Sequence, residues 1–408
     1  MKLLTVDTIE EARKKTINFS SNWKLLSDDI RIYQAAGRLI ARDIYAPCDI
    51  PDFDRATVDG YALHAADTIG AGEGIPVFLK HALSVTMGRQ TDFSISSGEC
   101  AYVPTGGMIP AGADAVVMVE YCEIAGRNVA VYEAAAAGSG IALAGEDVKR
   151  GDLLLRRGTL IRPQEAGALA AAGIVSVEVF SPLKITIIST GDELVPPDST
   201  PRPGEIRDIN SYALKAQAEG RGYNVASTSI IPDDEDALEA AIREAMALSD
   251  IVVVSGGSSQ GEKDSTANAI NRAAKPGVFT HGLALKPGKP TILGWDEKSK
   301  TLLTGLPGHP VAAMIVFELI FGWLGDELFN RPPPFAVPAR VSCNVPGASG
   351  RMLCQPVILH LDGEEYTAEP VFGKSGMIST LTRADGYILI DLNKEGLKKG
   401  ESVMVHLL

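Results

Sequence analysis

The sequence predicts a multidomain α/β plus β protein. Its parts are a mostly parallel, doubly wound α/β domain, a β-rich insert domain, a discontinuous helical linker domain and a C-terminal β-barrel. Three observations predict it. The 408 residues exceed what one hydrophobic core serves, so two to four domains are expected. Apolar strand-like runs alternate with amphipathic helical runs over 183–329, the pattern of a layered parallel sheet. Short β-type runs broken by Gly and Pro turns occur on both sides of that region.

Taken in chain order, residues 1–45 read as helical. Segments 7–15 and 27–43 carry apolar residues at helical spacing, and Asp28 and Asp29 stand near the second start. The texture then changes: IPVFLK, CAYVP, AVVMVEYCEI and NVAVYE are strand-like runs between turns. A helix is expected over 163–172, with Pro163 in the first turn and Gly173 as the stop. The insert, 46–147, lies between helical segments, so 1–45 and 148–180 are expected to form one discontinuous domain.

The α/β domain is expected over 181–330. LKITIIST, YNVASTSII and IVVVSG read as strands, and INSYALKAQAEGRG as a helix with a glycine end. DDEDALEAAIREAMALSD reads as an amphipathic helix with acids in its first turn and Leu238, Ala241, Ile242, Ala245 and Leu248 on one face. Pro332, Pro333 and Pro334 form a stiff break. Beyond it, 335–408 holds the runs ARVSCNV, LCQPVILHL, YILIDL and SVMVHLL, which suit a small barrel or sandwich.

Composition narrows the function classes. Hydrophobic content is 45% and charged content 22%, ordinary for a globular chain. The formal net charge is −13, with no basic stripe of the kind nucleic acid requires. No apolar run reaches the roughly 18 residues of a membrane span. The start, MKLLTVDTIEEARKK, is acidic directly after a short apolar stretch, unlike a secretory signal or transit peptide; a cytoplasmic location is expected. Cysteines at 48, 100, 122, 343 and 354 form no CxxC pair, and no HExxH occurs, so free thiols are expected rather than zinc or disulfides.

Ligands of a doubly wound sheet sit beyond the carboxyl ends of its strands. Three loops fall there: STGDEL (Ser189, Thr190, Gly191, Asp192, Glu193), SGGSSQGEKD (Ser255, Gly256, Gly257, Gly261, Asp264) and GLPGHP (Pro307, Gly308). Small residues let the backbone approach a ligand, and following helix N-termini favour anions. Neither familiar phosphate motif fits. No GxGxxG opens the domain, and the Walker-like spacing of Gly256 and Gly261 is followed by Glu262 where lysine is needed, with Lys263 one place late.

Asp192, Glu193, Asp233 and Asp264 are either helix caps or, beside a phosphate, ligands for magnesium. In HGLALKPGKPT, Lys286 and Lys289 flank Pro287 and Gly288, which makes a turn presenting two amines. That turn is either solvated or built for a small oxyanion. PDFDRATVDGYAL, 51–63, is a tight turn with an aromatic residue.

Together these segments resemble the MoeA family of molybdopterin molybdenumtransferases, which includes the E domain of gephyrin. DRATVDGYAL, VPTGGMIPAGADAVVMVE, AGEDVKRGDLLLRRGTLIRPQEAGALAAAGI, STGDEL, GEIRDIN, SGGSSQGEKD, LALKPGKP and GLPGHPVAA occur in the family's order, over essentially the whole chain. The resemblance implies a MogA-like fold for the α/β domain and an elongated homodimer whose cleft is shared between subunits. It implies insertion of molybdenum from molybdate into adenylylated molybdopterin, with AMP released and Mg2+ assisting. A MogA-type partner would adenylylate the pterin.

By the same resemblance Glu193, Asp233 and Asp264 match functional acids, and Asp59, Thr105 and Asp147 match others that reach in from the second subunit. Lys286, Lys289 and Pro290 match the molybdate turn, with Arg351 and Ser375 as further contacts. The chain departs from the family pattern in three places. His309 replaces the asparagine of LPGNP, Val58 replaces a methionine, and Ala312 or Ala313 replaces a serine. His309 is read as a helix cap or as a titratable donor near the anion. The alternative function is a relative that binds the pterin or a nucleotide without insertion, or that handles tungstate.

Overall fold

In a computed structural model, described for residues 6–21, 23–256, 262–332 and 334–408 except the side chains of 262–264, the chain divides into two compact units. One comprises Met1–Asp28 with Phe180–Leu408, the other Asp29–Val179.

The first unit is built on a six-stranded sheet. Its order is Asn224–Ile231, Lys184–Thr190, Ile251–Gly256, Thr301–Leu306, Ile292–Asp296, Pro276–His281. The first four strands pair in parallel, and Ile292–Asp296 runs antiparallel to both its neighbours. Lys184–Thr190, Ile251–Gly256 and Thr301–Leu306 are almost wholly buried. They therefore read as continuous apolar runs rather than alternating ones, as strands covered on both faces do.

Helices Glu235–Leu248 and Glu262–Ala273 pack together, and Asn210–Gly220 packs with Pro310–Phe317. The first pair buries Leu238, Ile242, Ala245 and Ile270 against Ile188, Val252 and Val254. Asp234 caps Glu235–Leu248 by accepting the Ala237 N–H at 2.7 Å, which satisfies an otherwise orphaned amide. Leu248, expected on the buried face, is exposed, because it is the last helical residue and the apolar stripe ends one turn before it. The N-terminal helix Ile9–Ser20 opens on a capping box between Thr8 and Glu11.

The C-terminal part closes into a five-stranded barrel. Met352–Asp362 pairs with Glu365–Pro370 and with Gly386–Ile390, and Ala336–Val341 and Ser402–Leu407 complete the ring. Val341, Val357, Ala368, Ile388 and Val405 fill its core. A two-residue strand, Leu285–Lys286, adds in parallel to Met352 and Leu353.

The second unit holds a six-stranded sheet ordered Ala115–Met118, Gly60–Leu63, Glu99–Val103, Val77–Ser84, Asn128–Val131, Cys122–Ala125. Its helix Pro163–Ala171 begins at the expected proline and ends before Gly173, whose φ of +72° suits glycine.

Segment 27–43 corrects the helical expectation. It forms the strand Ser27–Arg31, the 3-10 turn Ile32–Gln34 and bridges from Leu39 to Leu160 and from Ile40 to Val179. Its isoleucines serve a core with Ile161, Leu169, Val177 and Val179. Distant backbone partners, such as Thr159 O for the Ile40 N–H, outcompete local helical bonds that Gly37 at φ +78° would interrupt.

Among the described residues the five cysteines are free thiols, with Cys100 and Cys354 buried, and no helix is long and apolar enough to cross a membrane.

Candidate functional site

Two cavities open in the first unit. The smaller, about 420 Å³, lies at the carboxyl ends of the parallel strands and is lined by Ser189, Thr190, Glu193, Asp233, Ser255 and Gly256, with Gly308 and His309 on a further side. The larger, about 720 Å³, is lined by Lys286, Lys289, Pro290, Pro307, Arg351 and Ser375, with Lys374 and again His309. All the residues nominated for the oxyanion therefore meet in one cavity, and Glu193 and Asp233 meet in the other.

The smaller cavity is set by buried hydrogen bonds. Ser189 Oγ donates to Asp208 Oδ1 at 3.1 Å, and the Ser211 N–H donates to the same oxygen at 3.1 Å. The Ser189 and Ser211 hydroxyls lie 2.9 Å apart. Asn210 Nδ2 donates to Ser255 Oγ and to the Gly308 carbonyl oxygen, each at 2.8 Å, so one side chain joins two ligand loops. Asp208 Oδ2 and Asn210 Oδ1 are buried without a partner among the described residues. Buried acceptors left bare are costly, and a ligand or ion that brings donors or positive charge removes that cost.

Asp192 braces rather than lines this cavity: its Oδ1 accepts the Asp233 N–H at 3.1 Å. The Gly191 N–H donates to Ile231 O at 3.2 Å, which ties the same two strand ends. Gly256 sits at φ +144° with any added Cβ overlapping the Thr190 carbonyl oxygen, so backbone packs against backbone where the loop leaves the sheet. Gly257, Gly261 and the side chain of Asp264 lie outside the described residues. Among those described, no three His, Cys, Asp or Glu side chains are grouped to hold a metal.

The larger cavity is built differently. Lys286 and Lys289 are exposed on a turn whose shape comes from its backbone. Gly288 at φ +127° lies against Val316 and Leu285, where a Cβ would meet side-chain carbons at 2.7 and 2.8 Å. Thr291 Oγ1 donates to Gly288 O at 2.7 Å, and the Leu283 N–H donates to Lys289 O at 3.0 Å. The walls include Leu353, Val371 and Cys354, whose thiol is driven up by complete burial. The lysines are therefore presented beside a largely apolar wall, where an anion loses water and charge attraction strengthens.

His309 corrects its reading as a cap. It occupies the N-cap position of Pro310–Phe317 but makes no side-chain bond to that helix. Its Nδ1 instead pairs with Ser375 Oγ at 2.7 Å.

In the second unit, Asp59 and Thr105 come together. Asp59 Oδ1 accepts both the N–H, at 2.6 Å, and the hydroxyl, at 2.8 Å, of Thr105. The Thr105 N–H, followed by its hydroxyl, holds this carboxyl below the usual range. Asp147 is exposed on a turn whose N–H donates to Ile50 O at 3.1 Å. Sequence reasoning missed Asp208, Asn210 and Ser211. Their signal was the run DIN in GEIRDIN, polar residues placed directly before a helix.

Fold and site define a multidomain α/β protein with a carboxylate-bearing cavity next to a lysine-bearing one. Family comparisons sharpen that class. Residues 7–173 match the MoeA N-terminal region (domain I and II), 186–325 a probable molybdopterin binding domain, and 338–408 the MoeA C-terminal region (domain IV). The chain is 34% identical to a Methanocaldococcus jannaschii protein assigned to molybdopterin biosynthesis, over 93% of this chain and 92% of that protein. It is 30% identical to the molybdopterin molybdenumtransferase of Bacillus subtilis, over 98% and 94% of the two chains. The solved molybdopterin biosynthesis MoeA protein of Pyrococcus horikoshii superposes with a TM-score of 0.81 at 36% identity, over 99% of each chain. The chain belongs to the MoeA family.

Proposed function

We propose that this chain is a molybdopterin molybdenumtransferase that inserts molybdenum from molybdate into adenylylated molybdopterin and releases AMP. One observation carries the reading: a cavity fitted for an anion and a cavity at the strand ends share a wall at His309. A metal oxyanion and a phosphate-bearing substrate can thus be held side by side. Molybdate is a tetrahedral dianion, which suits Lys286, Lys289 and Arg351 as point charges and donors. The pterin and its adenylyl phosphate occupy the strand-end cavity. There Gly256 allows close backbone approach, and Ser189, Thr190 and Ser255 supply hydroxyls.

Magnesium, which takes carboxylate oxygens, is proposed to assist at the strand-end cavity, which Glu193 and Asp233 line. Glu193, Asp233 and Asp264 would hold it, and the bare Asp208 Oδ2 adds negative potential to the same cavity. When bound it would neutralise phosphate charge as the anhydride is cleaved. The working form is proposed to be a homodimer in which a second copy supplies Asp59, Thr105 and Asp147. The adenylylated substrate is proposed to come from a MogA-type partner.

The test supplies adenylylated molybdopterin with molybdate or tungstate, with and without magnesium, and measures AMP release and metal insertion. Turnover with molybdate that needs magnesium is the expected result. Binding without turnover under both metals would identify a relative that carries the pterin without inserting metal. Sedimentation that finds only monomer would remove the shared cleft.

A further inference from the structure

We infer that His309 is an additional oxyanion-binding residue, one whose positive charge makes the affinity of the lysine-bearing cavity depend on pH. The inference rests on the assignment of that cavity to an oxyanion.

Three observations place it. The imidazole lines both cavities, while Ser375 lines only the larger and Gly376 only the smaller. His309 and residues 375–376 therefore stand where the two cavities adjoin. The ring is also free of the role its position suggests. An N-cap side chain normally accepts a helix amide, yet His309 makes no such bond. The helix is served from elsewhere, because the Val311 N–H donates to the Ser375 carbonyl oxygen at 3.1 Å. Finally, the ring is oriented by one nitrogen only. Nδ1 pairs with Ser375 Oγ at 2.7 Å, and Nε2 lies beside Gly376, 3.8 Å from where a Cβ would stand. No hydrogen-bond partner of Nε2 occurs among the described residues. A glycine at 376 places no side chain against that edge of the ring.

The surroundings single out this group. The larger cavity brings Lys286, Lys289, Arg351, Lys374 and the Cys354 thiol, and the smaller brings Glu193, Arg207, Asp208 and Asp233. Between about pH 6 and pH 8 ordinary lysines and arginines stay protonated, carboxylates stay ionised, and imidazole alone changes charge. The Cys354 thiol is pushed further out of that window by burial. Molybdate remains a dianion there. Protonation of the ring adds a positive charge to a wall of the cavity that four cationic side chains also line, and neutral imidazole withdraws it.

The experiment measures binding of inorganic molybdate to the intact protein by calorimetry at about pH 6 and about pH 8 at constant ionic strength. Wild type, His309→Asn and His309→Gln are compared. Both amides can pair with Ser375 but cannot titrate. Wild type is expected to bind about three- to tenfold more tightly at the lower pH, and both variants equally at the two. By reciprocity, molybdate should raise the His309 titration midpoint followed by NMR in wild type, a readout that needs no variant to fold. Equal pH dependence in wild type and variants overturns the inference, as does a midpoint unmoved by molybdate. Absence of molybdate binding to any of the proteins at either pH defeats the oxyanion assignment itself, and this inference with it.

Discussion

The two cavities of the first unit lie side by side but are held by opposite means. The strand-end cavity is a set of buried side chains that fix one another: Ser189, Asp208 and Ser211 form one group, and Asn210 ties Ser255 to Gly308. The lysine-bearing cavity has exposed cations on a backbone turn shaped by Gly288 and Thr291. Geometry in the first is maintained by polar groups that cannot be removed without exposing an unsatisfied partner. In the second, charge is added to a scaffold that stands without it. Stability and ligand affinity should therefore be coupled in one cavity and separable in the other.

The contrast can be broken in graded steps. Gly256→Ala forces a Cβ onto the Thr190 carbonyl at a φ of +144°, and should cost about 3 kcal/mol in denaturant unfolding. Asn210→Ala strips a donor from the Gly308 carbonyl and the Ser255 hydroxyl. It should cost about 2 kcal/mol and lower AMP release together with stability. Lys286→Ala and Lys289→Ala should each weaken molybdate binding about tenfold yet leave unfolding within about 0.5 kcal/mol of wild type. A destabilised lysine variant, or a stable Asn210→Ala protein with full activity, would dissolve the distinction.

The smallest effect lies in the second unit, where an exposed carboxylate is prearranged by hydrogen bonds. Asp59 is depressed first by the Thr105 N–H and then by its hydroxyl. Its stabilising contribution is thus present above the ordinary carboxylate range and lost as pH falls through the lower folded value. Thr105→Val removes the hydroxyl bond alone. The Asp59 titration followed by NMR should move up toward the ordinary range, with the backbone bond retaining part of the depression.

How much was legible in the sequence follows from the range of the forces involved. The strand Ile251–Gly256 and the helix Glu235–Leu248 announce themselves through local apolar pattern and capping chemistry. The strand Glu365–Pro370 did not, because its sequence, EYTAEP, carries glutamates at 365 and 369 and only Ala368 and Pro370 are buried. Segment 27–43 misled because Ile32, Leu39 and Ile40 stand at helical spacing, whereas the core that Ile32 and Ile40 join includes Ile161, Leu169, Val177 and Val179, more than a hundred residues away. The site divides likewise. Glycine loops and the lysine pair could be read from spacing. The contribution of Asn210 could not, since it arises from bonds to Ser255 and Gly308 that only the folded sheet brings near.

One pairing carries a consequence for how such a chain can be cut and recombined. Leu285 and Lys286 lie in the connection between the sheet strands Pro276–His281 and Ile292–Asp296, yet they add to a barrel strand at Met352 and Leu353. The lysine turn is thus stitched across a seam between modules. A gene fusion that borrowed the α/β part alone would keep most of the strand-end cavity, lose Gly376 from its lining, and leave the lysine turn without its barrel strand. These two modules can be exchanged between relatives only as a matched set.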